Sequence, residues 1–138
     1  QAIALLEQRV FKKGPSLERP AAVKDYLNLK LAAEPNEVFA IVFLNSMHEV
    51  LAYEPMFKGT VHSTTVHARP ILQRALELNA AAVILSHQHP SGCTEPSSAD
   101  RALTQTLRAA LSLIDVRVLD HLIVGQGTPY SFAESGLL

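Results

Sequence analysis

Two histidines one residue apart, His87 and His89, lie in the stretch Ser86-His87-Gln88-His89-Pro90-Ser91-Gly92, and Asp100 follows eleven residues after the second. In extended backbone, residues i and i+2 point to the same side, so both imidazoles can approach one ion from one short segment. Asp100 falls in the first turn of the next predicted helix and completes a His, His, Asp set. Imidazole and carboxylate are zinc ligands, and three protein ligands leave a position for water, the pattern of catalytic rather than structural zinc. Water on such an ion is acidified toward neutral pH, so the chemistry this spacing could do is hydrolysis.

Each residue also has a plainer reading. Ser97-x-x-Asp100 has the form of a helix capping box, with Ser97 at the N-cap and Asp100 at N3. A His-x-His pair on a surface loop is commonly inert. Placement favours ligation, because polar residues at the C-terminal end of a buried strand, ahead of a helix N-terminus, occupy a recurrent site position. Ser97 can cap the helix while its hydroxyl faces the site. Of the other histidines, His48 reads as part of a solvent-facing turn, and His62 and His67 either line the site or lie on the surface. His121 interrupts the apolar run Leu119–Val124 and reads as a buried, hydrogen-bonded residue able to orient the site from behind the ligands.

The elements that must position these groups follow from periodicity. Residues 2–13 read as a helix with Ile3, Leu6 and Val10 on its apolar face, broken by Gly14-Pro15-Ser16. A second helix is expected from about Arg19-Pro20 to Ala33, with Val23, Tyr26, Leu27 and Leu31 inward. Glu37–Leu44 reads as a buried strand, and Glu49–Phe57 as its antiparallel return. Residues 69–79 read as a helix, and Ala81–Ser86 as a central strand covered on both faces. The longest helix is expected over Ser98–Ile114, with Leu103, Leu107, Leu111 and Ile114 at helical spacing. A strand over Val116–Val124, a turn at Gly125-Gln126-Gly127 and a short strand over Pro129–Phe132 complete the order. Helices packed on a mixed sheet are implied, an α/β class.

At 138 residues, 48% of them hydrophobic and 18% charged, the chain fits one domain with a real core. The lone Cys93 excludes an internal disulfide, a cysteine-rich zinc site and an iron–sulfur cluster. It fits a reducing, cytoplasmic setting. No apolar run is long enough to span a membrane, and no signal-peptide layout opens the chain. Twelve Lys and Arg face thirteen Asp and Glu, a net charge of -1. No basic surface for nucleic acid is evident beyond Arg9, Lys12 and Lys13, and aromatics are too sparse for stacking platforms.

In type and spacing, His87-x-His89-Pro90, Ser97 and Asp100 resemble the JAMM (JAB1/MPN+) metalloprotease pattern. Phe57-Lys58-Gly59-Thr60, Arg74-Ala75-Leu76-Glu77-Leu78-Asn79-Ala80, Pro96-Ser97 and Leu119-Asp120-His121-Leu122-Ile123-Val124-Gly125 extend the likeness to the RadC-like JAB domain of bacteria, over about residues 16–138. The resemblance implies a JAB1/MPN-like, cytidine-deaminase-like mixed β-sheet flanked by helices, in a domain over 15–138. Residues 1–14 would be a linker or the tail of an upstream helical domain. It implies Zn²⁺ as cofactor, Glu37 at the start of the first core strand acting through the metal-bound water, Ser97 stabilising the oxyanion, and Pro90 shaping the ligand loop. Glu54 is the rival general base, and the match to the strand pattern favours Glu37. Two departures stand out. Cys93 replaces a usual acidic residue, and Val66-His67-Ala68-Arg69-Pro70 carries its proline two places late.

The implied activity is hydrolysis of an amide or isopeptide bond in a peptide or protein substrate. A non-catalytic interaction module that keeps the metal site is one alternative. Another is a DNA-repair-associated module, the historical label of the RadC name, although neither the extra carboxylates of a two-metal nuclease nor a basic groove is evident. A zinc deaminase would need His-x-Glu and a Cys-x-x-Cys pair, which one cysteine cannot supply. Self-pairing through an edge strand is open to so small a domain.

Overall fold

The computed structural model of the chain describes residues 20–32, 34–59 and 65–138. The expected helix at 2–13, the linker or tail assigned to 1–14, and His62 all lie outside these residues.

The run Val38–Leu44 contains no side chain that seeks water. It forms strand β1 and is buried along its whole length. Asn45 turns the chain: its side-chain oxygen accepts from the backbone N–H groups of Met47 and Glu49, a local bond that suits asparagine to turns. His48 takes a positive φ of 60° in this turn and is half-buried, less exposed than expected. Strand β2 (Val50–Lys58) then returns antiparallel to β1. Strand β3 (Ala82–Gln88) pairs antiparallel with the other edge of β1 and parallel with β4 (Arg117–Val124), and a two-residue β5 (Tyr130–Ser131) closes the sheet in the order β2-β1-β3-β4-β5. The expected central strand is therefore central.

Alternation along the strands splits the core into two layers. On one face, Val38, Ala40, Val42 and Leu44 of β1, with Ala82, Ile84, Leu122 and Val124, pack against Val23, Tyr26, Leu27 and Leu31 of helix α1 (Pro20–Leu31). On the other, Phe39, Ile41, Phe43, Val83 and Leu85 meet Ile71 and Ala75 of helix α2 (Ala68–Glu77) and Leu107 and Leu111 of helix α3 (Ser98–Ser112). Each fully buried Leu, Ile or Phe in these layers contributes roughly 1.5–3 kcal/mol. The parallel pair β3 and β4 requires a crossover, and α3 supplies it.

Element ends shift by one or two residues from expectation, and two of the shifts have a clear physical cause. Strand β3 continues two residues past Ser86, to Gln88, because the polar end of the strand has partners inside the fold. Helix α3 stops before Ile114, because Asp115 adopts φ 60° and the Val116 N–H bonds back to the Leu111 carbonyl. Among the described residues, no helix is long and apolar enough to cross a membrane.

Candidate metal centre

Strand β3 carries His87 on the face shared with Phe39 and Leu85, the face covered by α2 and α3. His87 is 3% exposed and stacks on Phe39, with ring centroids 5.8 Å apart. The chain leaves the sheet at His89, whose N–H still bonds to the Val124 carbonyl at 2.9 Å. Gly92, at φ 89°, turns the ligand loop back, and its carbonyl accepts from the Gln126 N–H at 2.9 Å. Pro90 is exposed in this loop.

Gly125 lets the loop dock. A Cβ there would stand 2.5 Å from the Gly92 carbonyl oxygen, a backbone atom that cannot swing away. Gly125→Ala is therefore expected to push the His89 loop off the end of β4 and to cost about 1–3 kcal/mol, the range for overpacking. Denaturant unfolding checks this, and an unchanged midpoint would contradict it.

The start of α3 brings the carboxylate. Ser97 is the N-cap, and its Oγ accepts from the Asp100 N–H at 3.0 Å, while Asp100 Oδ2 accepts from the Ser97 N–H at 2.8 Å. The capping box is real, and it does not compete with the other reading of Asp100. The box aims the same carboxylate at both histidines, with Oδ1 3.2 Å from His87 Nε2 and Oδ2 3.1 Å from His89 Nε2. His87 Nε2 and His89 Nε2 are 3.0 Å apart. Glu37, immediately before β1, joins them: one ligand atom each from Glu37, His87 and His89 lies within 4.8 Å of the other two.

Chemistry of the donor set matches a small divalent ion. Tetrahedral zinc with bonds of about 2.0–2.1 Å places its ligand atoms about 3.3 Å apart, close to the separations among His87, His89 and Asp100. The His89 tautomer suits this too. Its Nδ1 lies 2.8 Å from the Cys93 carbonyl, which can only accept, so Nδ1 carries the proton and a neutral ring offers Nε2 as a lone pair. Burial opposes ionisation of Asp100, but hydrogen bonds from His87, His89 and the Ser97 N–H outweigh it and hold the carboxyl well below the usual carboxylate range. The hydrogen bond to Asp100 in turn raises His89.

The structure places the remaining expected residues as follows. Glu54 lies on β2, paired with Arg74, outside the cluster. His67 is exposed at the start of α2 and makes no side-chain cap. Cys93 is exposed, and its backbone carbonyl rather than its thiol touches the site. His121 is fully buried behind His87, as expected, with its Nε2 2.8 Å from His87 Nδ1. Burial pushes His121 well below the usual histidine range, so the ring is neutral.

Four contributors were missed by sequence reasoning. Gln88 points to the α1 face and is 2% exposed. Its Oε1 accepts from the Val38 N–H at 2.6 Å, and its Nε2 donates to the Asn36 and Glu34 carbonyls, which pins the segment that carries Glu37. Thr104, fully buried on α3, bonds to the far side of the His121 ring. Phe132 stacks on His121 at 4.6 Å, and Asp120 holds that segment by accepting from the Ala133 N–H and the Ser131 hydroxyl. A hydrophilic residue inside an apolar helix face, as at Thr104, was the one signal available.

Fold and cluster together define a JAB/MPN-like α/β domain with a candidate metal centre at the end of its central strand. A family model described as RadC-like JAB domain matches residues 17–137. The chain belongs to that family. It is 58% identical over 124 residues to a UPF0758 protein of Methylibium petroleiphilum, covering 90% of this chain and 56% of that protein. It is 56% identical over 127 residues to a UPF0758 protein of Azotobacter vinelandii, covering 92% and 57%. A UPF0758 protein of Nitrosococcus oceani is 54% identical over 127 residues, again covering 92% and 57%. The chain thus spans little more than half the length of these relatives.

Proposed function

We propose that this domain is a zinc-dependent hydrolase of JAMM type that cleaves an amide or isopeptide bond in a peptide or protein. One observation carries the reading: the two histidine nitrogens and the Asp100 oxygens lie 3.0–3.2 Å apart, with the Glu37 carboxylate beside the histidines. His87, His89 and Asp100 would hold the ion. When bound, zinc supplies Lewis acidity and a water acidified toward neutral pH. Glu37 would take the proton from the attacking water and deliver it to the leaving amine as the C–O bond forms and the C–N bond breaks. The Ser97 Oγ acts as acceptor in the cap, so its O–H can donate to the developing oxyanion.

Quenched peptide and isopeptide pools, incubated with the zinc-loaded protein, test the activity. Cleavage that a chelator abolishes is expected. Full zinc occupancy without cleavage would leave an interaction or DNA-associated module in its place.

Zinc affinity should depend on pH in a stated direction. To ligate, His89 must give up the proton it shares with Asp100, and that hydrogen bond raises its pKa above the ordinary 6.5. Protons compete with the metal below the raised value. Affinity therefore weakens as pH falls through it, by about tenfold per pH unit for one displaced proton. Competition titrations at several pH values check the slope, and a flat profile would contradict it.

A further inference from the structure

Behind His87 runs a chain of hydrogen bonds that returns to Asp100. His87 Nδ1 meets His121 Nε2 at 2.8 Å. His121 Nδ1 meets Thr104 Oγ1, and Thr104 Oγ1 donates to the Asp100 backbone carbonyl at 2.9 Å. All three side chains are within 3% of full burial, so water does not satisfy them. We propose that Thr104 and His121 are positioning residues that fix the proton of His87 on Nδ1 and so reserve its Nε2 for the metal; this rests on the metal reading above.

Counting donors sets the direction. A threonine hydroxyl has one hydrogen, and the Asp100 carbonyl can only accept it. Thr104 Oγ1 must therefore accept from His121, which places the His121 proton on Nδ1. A neutral His121 then presents Nε2 as an acceptor, and His87 must supply the proton on its own Nδ1. Its Nε2, which faces His89 and Asp100, is then the nitrogen free to give up a proton and take a metal. The chain plays for His87 the part that the Cys93 carbonyl plays for His89. One ligand is set by a backbone oxygen and the other by two buried side chains. Because Thr104 sits one helical turn after Asp100, the same turn of α3 that delivers the carboxylate also sets the imidazole facing it. Partners behind metal ligands typically change affinity by about 10–100-fold.

Aromatic packing is the competing explanation, since His121 stacks on Phe132 and meets Phe39 edge-on. Four variants separate the two. Thr104→Val and His121→Phe keep shape and stacking but remove the hydrogen bonds, whereas Thr104→Ser and His121→Gln restore a hydroxyl and an acceptor. Zn²⁺ affinity, measured against a chromophoric chelator, is expected to fall about tenfold or more in the first pair and to recover in the second. In ¹⁵N spectra of the zinc-loaded wild type, the His87 proton should be on Nδ1. Val and Phe variants that bind zinc within about twofold of wild type would overturn the proposal, as would a His87 proton on Nε2. If a variant fails to fold, the wild-type spectrum still decides. Wild-type protein that binds no Zn²⁺ at all would instead overturn the metal reading, and this assignment with it.

Discussion

Asp100→Ala should reduce zinc affinity by more than about 100-fold, since loss of a partner behind a ligand already costs about 10–100-fold. The carboxylate is the only anion of the three-ligand set, and it lies 3.1–3.2 Å from both histidines. Its removal takes away a ligand and the charge that offsets the ion. It also removes half of the capping box, which costs about 1 kcal/mol of stability. Asp100→Asn separates the two effects. An amide oxygen can still accept from the Ser97 N–H, so the helix start survives, but the charge is gone. The amide variant is expected to melt near wild type while binding zinc as poorly as the alanine variant. Zinc titration followed by calorimetry and a thermal melt checks both halves. Zinc affinity that tracks stability across the two variants would mean that Asp100 acts only as a cap.

Glu37→Gln should lower turnover by about 10²–10⁴-fold, the range for loss of a general acid–base group, while zinc stoichiometry stays unchanged. The segment that carries Glu37 is held from behind by Gln88 through the Val38 N–H and the Asn36 carbonyl. An uncharged isostere leaves that support in place and cannot accept the proton from water. Glu54→Gln is the paired control. Glu54 is engaged with Arg74 outside the cluster, and its replacement should leave turnover within about twofold, as expected of a group with no part in proton transfer. Single-turnover rates on any substrate found in the peptide pools decide between them. Equal loss in both variants would point away from Glu37 as the proton carrier.

Much of this arrangement was legible in the sequence because it is local. The apolar run Val38–Leu44 has no alternative to a buried strand. Four inward residues, from Val23 to Leu31, declare α1. The His87–His89 spacing and the Ser97–Asp100 cap each fall within a few residues, so the candidate ligands and the cap could both be named. The groups that were missed have partners far along the chain. Gln88 reads as a spacer between histidines, yet it binds the backbone fifty residues earlier. Thr104 reads as one polar position on an amphipathic helix, and only the packing of α3 against β4 brings it to His121. The same blindness shortened β3 in the reading. Gln88 looks like a loop residue until its buried partners in the Glu34–Val38 segment are known. Short-range chemistry can be read from spacing, but the satisfaction of a buried polar group depends on tertiary neighbours.

Bound zinc, measured by elemental analysis of protein purified without added metal, decides whether His87, His89 and Asp100 form a metal site. The comparison sets wild type beside His89→Ala and Asp100→Ala. Close to one zinc per wild-type chain is expected, as for a single site of three protein ligands, with the metal lost in both variants. Wild-type protein that holds no zinc, even after zinc is supplied at neutral pH, would contradict that site.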